Sequence, residues 1–519
     1  MTFPVETKES PGDATTVSRL KNGLTLIVRE DHFAPVVALQ IWVNAGGADE
    51  SDDEAGVAHV HEHMLFKGTA ERGLGEIAQA VEASGGRINA WTSWDQTAYH
   101  LVLASRYAEL GLDVLADAVR HSAFDPVELD KELEVVMEEW RRGRDRPGMR
   151  VFYSLFETAF TSHPYRRPVI GTENSIKGLT REKVLEFYRR YYTPGNMTLL
   201  VVGDVETLAI QRAAEDLFGD FAPQAAARPA RPAEPVQEGL RVHTERMAVE
   251  ETHLSLGFHI PAANHDDAPG LDLLAFVLGS GESSRLYRRL VVEEELVNDV
   301  GSFAYTPPDP GLFVVNASLE HKNLEAALGA VIEELGALRA GNIQPEELKR
   351  ALSNLESDFV FRRETVQGQA RELGYSVVVH GDPAYERVYI KNLEAVGVEE
   401  LTRLARLYLT RNNLSVVSLL PESAPGGLDA KRVAEAAEAL DGPAPMIAPA
   451  PAPTEVAVSG AKATTGASSD EDPKLFTLAN GVRVIVAEHH EVPVFAVRAA
   501  ALAGLLGETA ATNGISDFT

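Results

Sequence analysis

The chain has 519 residues, 45% of them hydrophobic and 24% charged, the composition of a soluble globular protein with more than one domain. A formal charge of −29 argues against a nucleic-acid or anionic-membrane partner, since both call for basic patches. With no cysteine, disulfides, thiolate metal sites and cysteine nucleophiles are excluded together.

The charge itself has two readings: plain solubility, or an acidic chamber that favours basic peptides. The N-terminal stretch Met1 to Ser10 has neither a basic n-region nor an apolar core. No run approaches the ~18–20 apolar residues of a membrane span, so a cytoplasmic protein is expected. Asn22-Gly23 is a turn signal leading into a strand at 24–28, and a second strand is predicted at 36–43.

A helix is predicted next, carrying Gly56-Val-Ala-His59-Val-His61-Glu62-His63. At 100° per residue, His59 and His63 lie about 40° apart and Glu62 about 60° to the other side of His59. His61 points about 200° away from His59 and is the histidine least able to join them. Apolar Val57, Val60, Met64, Leu65 and Phe66 surround these groups, favouring a partly buried helix over a surface helix with scattered histidines. Two imidazoles at i, i+4 suit zinc, and a carboxylate beside them can take a proton from a metal-bound water.

A catalytic zinc needs a third protein ligand. After a strand at 98–103 and a helix at 106–120, the helix predicted at 126–142 offers Glu132 and Glu139. With Val135 and Val136 they form one inward stripe, while Glu134 and Glu138 face away. Periodicity alone leaves open whether Glu132 and Glu139 meet a metal or are solvated.

Two repeats organise the chain. Leu20–Pro35 returns as Leu478–Pro493, identical at eight of sixteen positions with an offset of 458. Tyr191–Val202 resembles Tyr408–Leu419 with an offset of 217. Further strands are predicted at 198–202, 254–259 and 311–317, and helices at 324–338 and 345–361. The reading is α+β: two related α/β layered domains, each an antiparallel or mixed sheet with helices, at 17–225 and 240–425. A Pro/Ala-rich linker at 441–473 leads to the truncated start of a second pair at 474–519, and a shorter Ala/Pro stretch at 222–235 joins the first two domains. Asp517 falls where His59 stands in the first copy, so this second half is expected to be inactive.

The order His-x-x-Glu-His, with the Glu-rich helix downstream, resembles the insulinase/pitrilysin family of inverted-zincin metallopeptidases, which includes the mitochondrial processing peptidases. Gly85–Tyr99 is similar to the family's active-site edge strand, His163–Thr172 to the loop before its last helix, and Gly279–Tyr287 to the glycine-rich turn of its non-catalytic domain. His61 departs from the apolar residue usual there, which is expected to affect how the helix packs. The resemblance implies one Zn2+ per chain held by His59, His63 and Glu139, with Glu132 behind a ligand and Glu62 as the base acting on zinc-bound water. It implies a metalloendopeptidase whose extended peptide substrates add to the edge strand at Asn89 and Ala90. The alternative is an incomplete or non-catalytic subunit that needs a second half or a homologous subunit to close its chamber. On that view residues 474–519 are poorly anchored and the chain alone is weakly active.

Overall fold

In the computed structural model, which describes residues 8–9, 15–222, 229–441, 473–488, 494–501, 508 and 511–512, the first sheet has seven strands. They are β1 (Lys8–Glu9), β2 (Thr15–Arg19), β3 (Thr25–Glu30), β4 (Val36–Val43), β5 (Arg87–Thr92), β6 (Thr97–Ala104) and β7 (Met197–Gly203). Their order is β1-β2-β3-β7-β4-β6-β5, and only β3 and β7 run parallel, which leaves β5 at an edge. The central strands β4 and β7 are near-continuous apolar runs because both of their faces are covered. Their companions in sequence are α1 (Val57–Met64), α2 (Glu76–Ala83), α3 (Ala108–His121), α4 (Pro126–Arg144), α5 (Pro147–Ala159), α6 (Glu173–Lys177), α7 (Arg181–Tyr191) and α8 (Thr207–Phe218).

The second sheet holds β8 (Arg241–Met247), β9 (Thr252–Ile260), β10 (Asp299–Tyr305), β11 (Gly311–Leu319) and β12 (Leu414–Pro421) in the order β10-β11-β9-β12-β8. Strand for strand this repeats β5-β6-β4-β7-β3, with β8 and β12 as its one parallel pair. Its helices include α9 (Ala268–Gly279), α10 (Leu324–Ala340), α11 (Pro345–Arg362), α12 (Val366–His380), α13 (Tyr385–Ala395) and α14 (Val398–Tyr408). Helices α7 and α14 are 217 residues apart at both ends. The same shift lays β3, β4, β6 and β7 on β8, β9, β11 and β12, and α3, α4 and α5 on α10, α11 and α12, to within four residues. The weak echo in the sequence is therefore a repeat of topology.

The two sheets exchange corresponding helices. From the first repeat, α5 packs Leu155, Phe156 and Ala159 with Leu312, Val314 and Val417 of the second sheet. Gly257 of β9 makes room for it, since a Cβ there would stand 3.1 Å from Leu155. In return, α12 packs Ala370 and Leu373 with Ala38, Trp42, Leu200 and Val202 of the first sheet. Here Gly374 accepts the Trp42 ring, which a Cβ would meet at 2.5 Å. Each buried Leu or Phe in these layers contributes roughly 1.5–3 kcal/mol.

The Ala/Pro stretch between the sheets is anchored where it is described. Arg231 donates to Asp49 (3.0 Å), Asp309 (2.7 Å) and Asp95. Glu234 accepts the backbone N–H groups of Thr161, Ser162 and His163 at 2.8–2.9 Å. Residues 223–228 lie outside the described residues.

Both sheets lie in a unit ending at Val458; residues 459–519 form a second unit. Within it, β13 (Lys474–Thr477) and β14 (Arg483–Val486) form a hairpin whose pairing of Lys474 with Val486 and Thr477 with Arg483 is the β2–β3 register shifted by 458. The Asn-Gly turn is reproduced too: Gly23 and Gly481 take φ of +98° and +87°, a left-handed conformation that glycine adopts at little cost. Asn22 and Asn480 each accept the N–H two residues on. Residues 442–472, most of the Pro/Ala-rich segment, and Asp517 lie outside the described residues. No described helix is long and apolar enough to cross a membrane.

Candidate metal centre

Helix α1 starts on Gly56, held at φ +97°, where a Cβ would stand 2.5 Å from the carbonyl oxygen of Ile170. No side chain caps it from the adjacent position. Instead the buried Glu50 carboxylate accepts the Gly56 and Ala58 N–H groups at 2.9 and 2.7 Å. Burial pushes Glu50 up to about 8, against the pull of those two hydrogen bonds.

Val57, Ala58, Val60 and Met64 are buried in the first core, and His59, Glu62 and His63 are half-buried. Nε2 of His59 and Nε2 of His63 lie 3.7 and 3.5 Å from Oε2 of Glu139. One ligand atom from each of the three falls within 4.8 Å of the others. Burial, then the neighbouring His63, lowers His59 to about 4. Burial opposes charge on His63 as well, but Glu139 and Glu132 outweigh it and leave that ring raised. The hydrogen bond with His63 is the main influence lowering Glu139.

Behind this group, Oε1 of Glu132 meets Nδ1 of His63 at 2.8 Å, and its other oxygen pairs with Lys67 at 2.6 Å. With Glu132 holding a proton on Nδ1, it is the Nε2 side of His63 that would give up its proton and turn a lone pair to a metal. Oε2 of Glu62 accepts the Thr92 hydroxyl at 2.7 Å, while burial raises the Glu62 carboxyl. Nothing in the sequence singles out Thr92 or Glu50: each acts across a turn or a strand rather than at helical spacing.

His61 lies wholly buried on the opposite side of α1. Its Nε2 meets the Val184 carbonyl at 2.7 Å, and its ring packs among Phe124, Phe187, Tyr188 and Tyr192.

Helix α4 differs from its predicted stripe. Glu132 and Val136 are buried, but Val135 is 50% exposed and the Glu139 side chain 51%. Glu134 and Glu138, expected to face away from the site, join Val135 and Glu139 in lining a cleft of about 1650 Å³. The polar face of α4 therefore borders open space beside the site rather than a core. His59, Glu62, Ala90, Trp91 and Thr92 line the same cleft. Asn89 does not; it lies on the edge strand, where its Oδ1 accepts the N–H of Ala90 at 2.9 Å.

Two imidazole nitrogens and one carboxylate oxygen, converging at the mouth of a cleft, form a donor set of the kind zinc takes with a fourth position open. The residues fit such an ion.

Comparison with known proteins gives the same direction. The pattern of the insulinase family (peptidase family M16) matches residues 25–173, and that of the peptidase M16 inactive domain matches 178–355. A zinc protease of Rickettsia felis, itself uncharacterized, is 30% identical over 366 residues, covering 70% of this chain and 88% of that one. This chain belongs to the insulinase family. The uncharacterized zinc protease YmxG of Bacillus subtilis is 28% identical over 76% of this chain and 95% of its own. Among solved structures, a protease from Helicobacter pylori is similar at a TM-score of 0.75 and 27% identity, over 79% of this chain and all of that one. The periplasmic protease PqqL of Escherichia coli shares the fold at a TM-score of 0.72 and 20% identity; the match covers 93% of this chain and 56% of that one. Every predicted site residue falls within the first matched segment.

Proposed function

We propose that this member of the insulinase family is a zinc metalloendopeptidase acting on peptides in extended form. The observation that carries the reading is the convergence of His59, His63 and Glu139 within 4.8 Å, with Glu62 on the same helix. Bound there, zinc would supply Lewis acidity to a water and to the scissile carbonyl.

The protein's own groups do the rest. Glu132 orients His63, and the raised carboxyl of Glu62 suits a group that takes a proton from the attacking water and passes it to the leaving amine. Thr92 holds one Glu62 oxygen and leaves the other for that transfer. The unpaired edge of β5 offers backbone groups to a peptide strand, which would displace the Asn89 side chain from the Ala90 N–H. A second reading, a half-size unit that works with a partner half, draws support from the likeness of fold to PqqL, of which the match covers 56%.

Zinc content and cleavage of a quenched-peptide library test the first reading. The full chain should bind one zinc and cleave; Glu62→Gln should keep the metal and lose turnover. Loss of zinc in Glu62→Gln as complete as in His59→Ala would sink the assignment of Glu62 as a base.

A further inference from the structure

Five arginines stand between residues 141 and 150, at the end of α4 and the start of α5, in a chain of net charge −29. Three are already engaged. Arg141 and Arg142 pair with Glu138, and Arg150 pairs with Glu245. Arg144 sits over the Trp140 ring, 5.0 Å from its centroid, with no carboxylate partner among the described residues. The Arg146 guanidinium has no ion-pair or hydrogen-bond partner among them either. Both line the cleft that contains His59, Glu62 and Glu139.

The wall of that cleft changes sign at Glu139. Toward the start of α4 it carries Glu134 and Glu138, with Lys131 neutralised by Glu128; toward the end of α4 and just past it, it carries Arg142, Arg144 and Arg146. The unpaired acids of the lining are too distant to neutralise the unpaired guanidinium groups. At 1.5 Å per residue, Glu134 lies about 15 Å along α4 from Arg144, and Glu157 about 16 Å along α5 from Arg146. Both separations exceed the ~8 Å screening length at physiological salt. Glu173, near Arg144, is paired with Lys177. Arg146 does reach the metal ligand: after His63 and His59, its charge also helps hold Glu139 low.

We propose that Arg144 and Arg146 form a carboxylate-binding subsite of the cleft. It rests on the peptidase reading, and it names the substrate class: peptides with a carboxylate near the scissile bond. Arg144, at the end of α4, follows Glu139 by five residues, about 7.5 Å of helix rise, which two to three extended peptide residues would span, and Arg146 stands just past the helix end. The carboxylate is an acidic side chain or a free C-terminus at that distance. Arginine suits it because its planar fork engages both carboxylate oxygens, and Trp140 beneath Arg144 holds that fork in place. The acidic-chamber reading of the net charge does not describe this end of the cleft.

The test uses the zinc-loaded full chain and matched quenched peptides with Glu, Gln or Lys three residues to either side of the cleaved bond. Each peptide has an amidated C-terminus, and the Gln peptide is also made with a free one. Binding of the same peptides to Glu62→Gln is measured in parallel, so that affinity is read without turnover. The Glu peptide should be favoured over the Lys peptide on the order of tenfold in KM and in affinity, as a charge-assisted hydrogen bond supports. Arg146→Glu should reverse the ratio. Preference for the free-acid Gln peptide over its amide would place the bound carboxylate at the C-terminus; preference for Glu in amidated peptides would place it on a side chain. Equal handling of Glu and Lys peptides by both proteins, or a preference that survives the double charge reversal of Arg144 and Arg146, overturns the proposal. An absence of turnover with acidic peptides still bound selectively would overturn the peptidase reading and leave the subsite standing.

Discussion

Nδ1 of His63 meets Oε1 of Glu132 at 2.8 Å, while its Nε2 stands 3.5 Å from Glu139, so one ring joins the two glutamates that helical periodicity left undistinguished. Glu139→Gln should therefore lower zinc affinity more than Glu132→Gln, for which a loss of about 10–100-fold is expected. Titration with a competing chelator ranks the two. The reverse order would exchange their roles.

Thr92 controls how Glu62 presents its carboxylate. Thr92→Val removes the 2.7 Å hydrogen bond at little change in volume. Zinc content should hold while kcat/KM falls by about tenfold or more, the worth of a hydrogen bond to a charged group. Parallel losses of metal and activity would show that Thr92 supports the helix instead.

His61 gives the fold a dependence on acid. Burial depresses its folded value to about 4, below the ~6.5 of an unfolded chain. The neutral ring's stabilisation is present above pH ~6.5 and is lost as pH falls toward 4, on the order of 3 kcal/mol in all. His61→Phe should flatten the stability curve between pH 4 and 6.5, measured by urea unfolding. An unchanged slope would assign that acid sensitivity to other groups.

Arg231 faces Asp49, Asp95 and Asp309 with little solvent around it. Arg231→Leu leaves those carboxylates without their shared cation and should cost about 3–5 kcal/mol of unfolding free energy. The same substitution made together with Asp95→Asn should cost less than the two single effects summed. Simple additivity would mean that the cluster is not coupled.

What could be read from the sequence divides along physical lines. His59, Glu62 and His63 share one helix, and the 3.6-residue period alone put them on one face with His61 opposite. Glu139 needed more: its partners lie 76 and 80 residues away, and its register came from the family resemblance. Val135 was misplaced because periodicity reports that a helix has two faces without saying what borders each one. Here the second boundary is a cleft, which accepts an exposed valine and five glutamate or arginine side chains equally well. Thr92, Glu50 and Arg231 act through contacts that close only when strands and linker are in place, and no local pattern marks them. The 217-residue echo was faint because it survives as strand order and helix spacing, while the side chains that occupy those positions have diverged.

The exchange of α5 for α12 makes each repeat depend on the other. Leu312, Val314 and Val417 do not line the cleft, yet they are the bed on which α5 rests, and α5 carries Met149, Tyr153 and Glu157 to it. A change in volume at any of them would be transmitted to the wall of the cleft. The second repeat is thus the foundation of the first as well as its copy, and neither could be cut away or swapped without disturbing the core of the other.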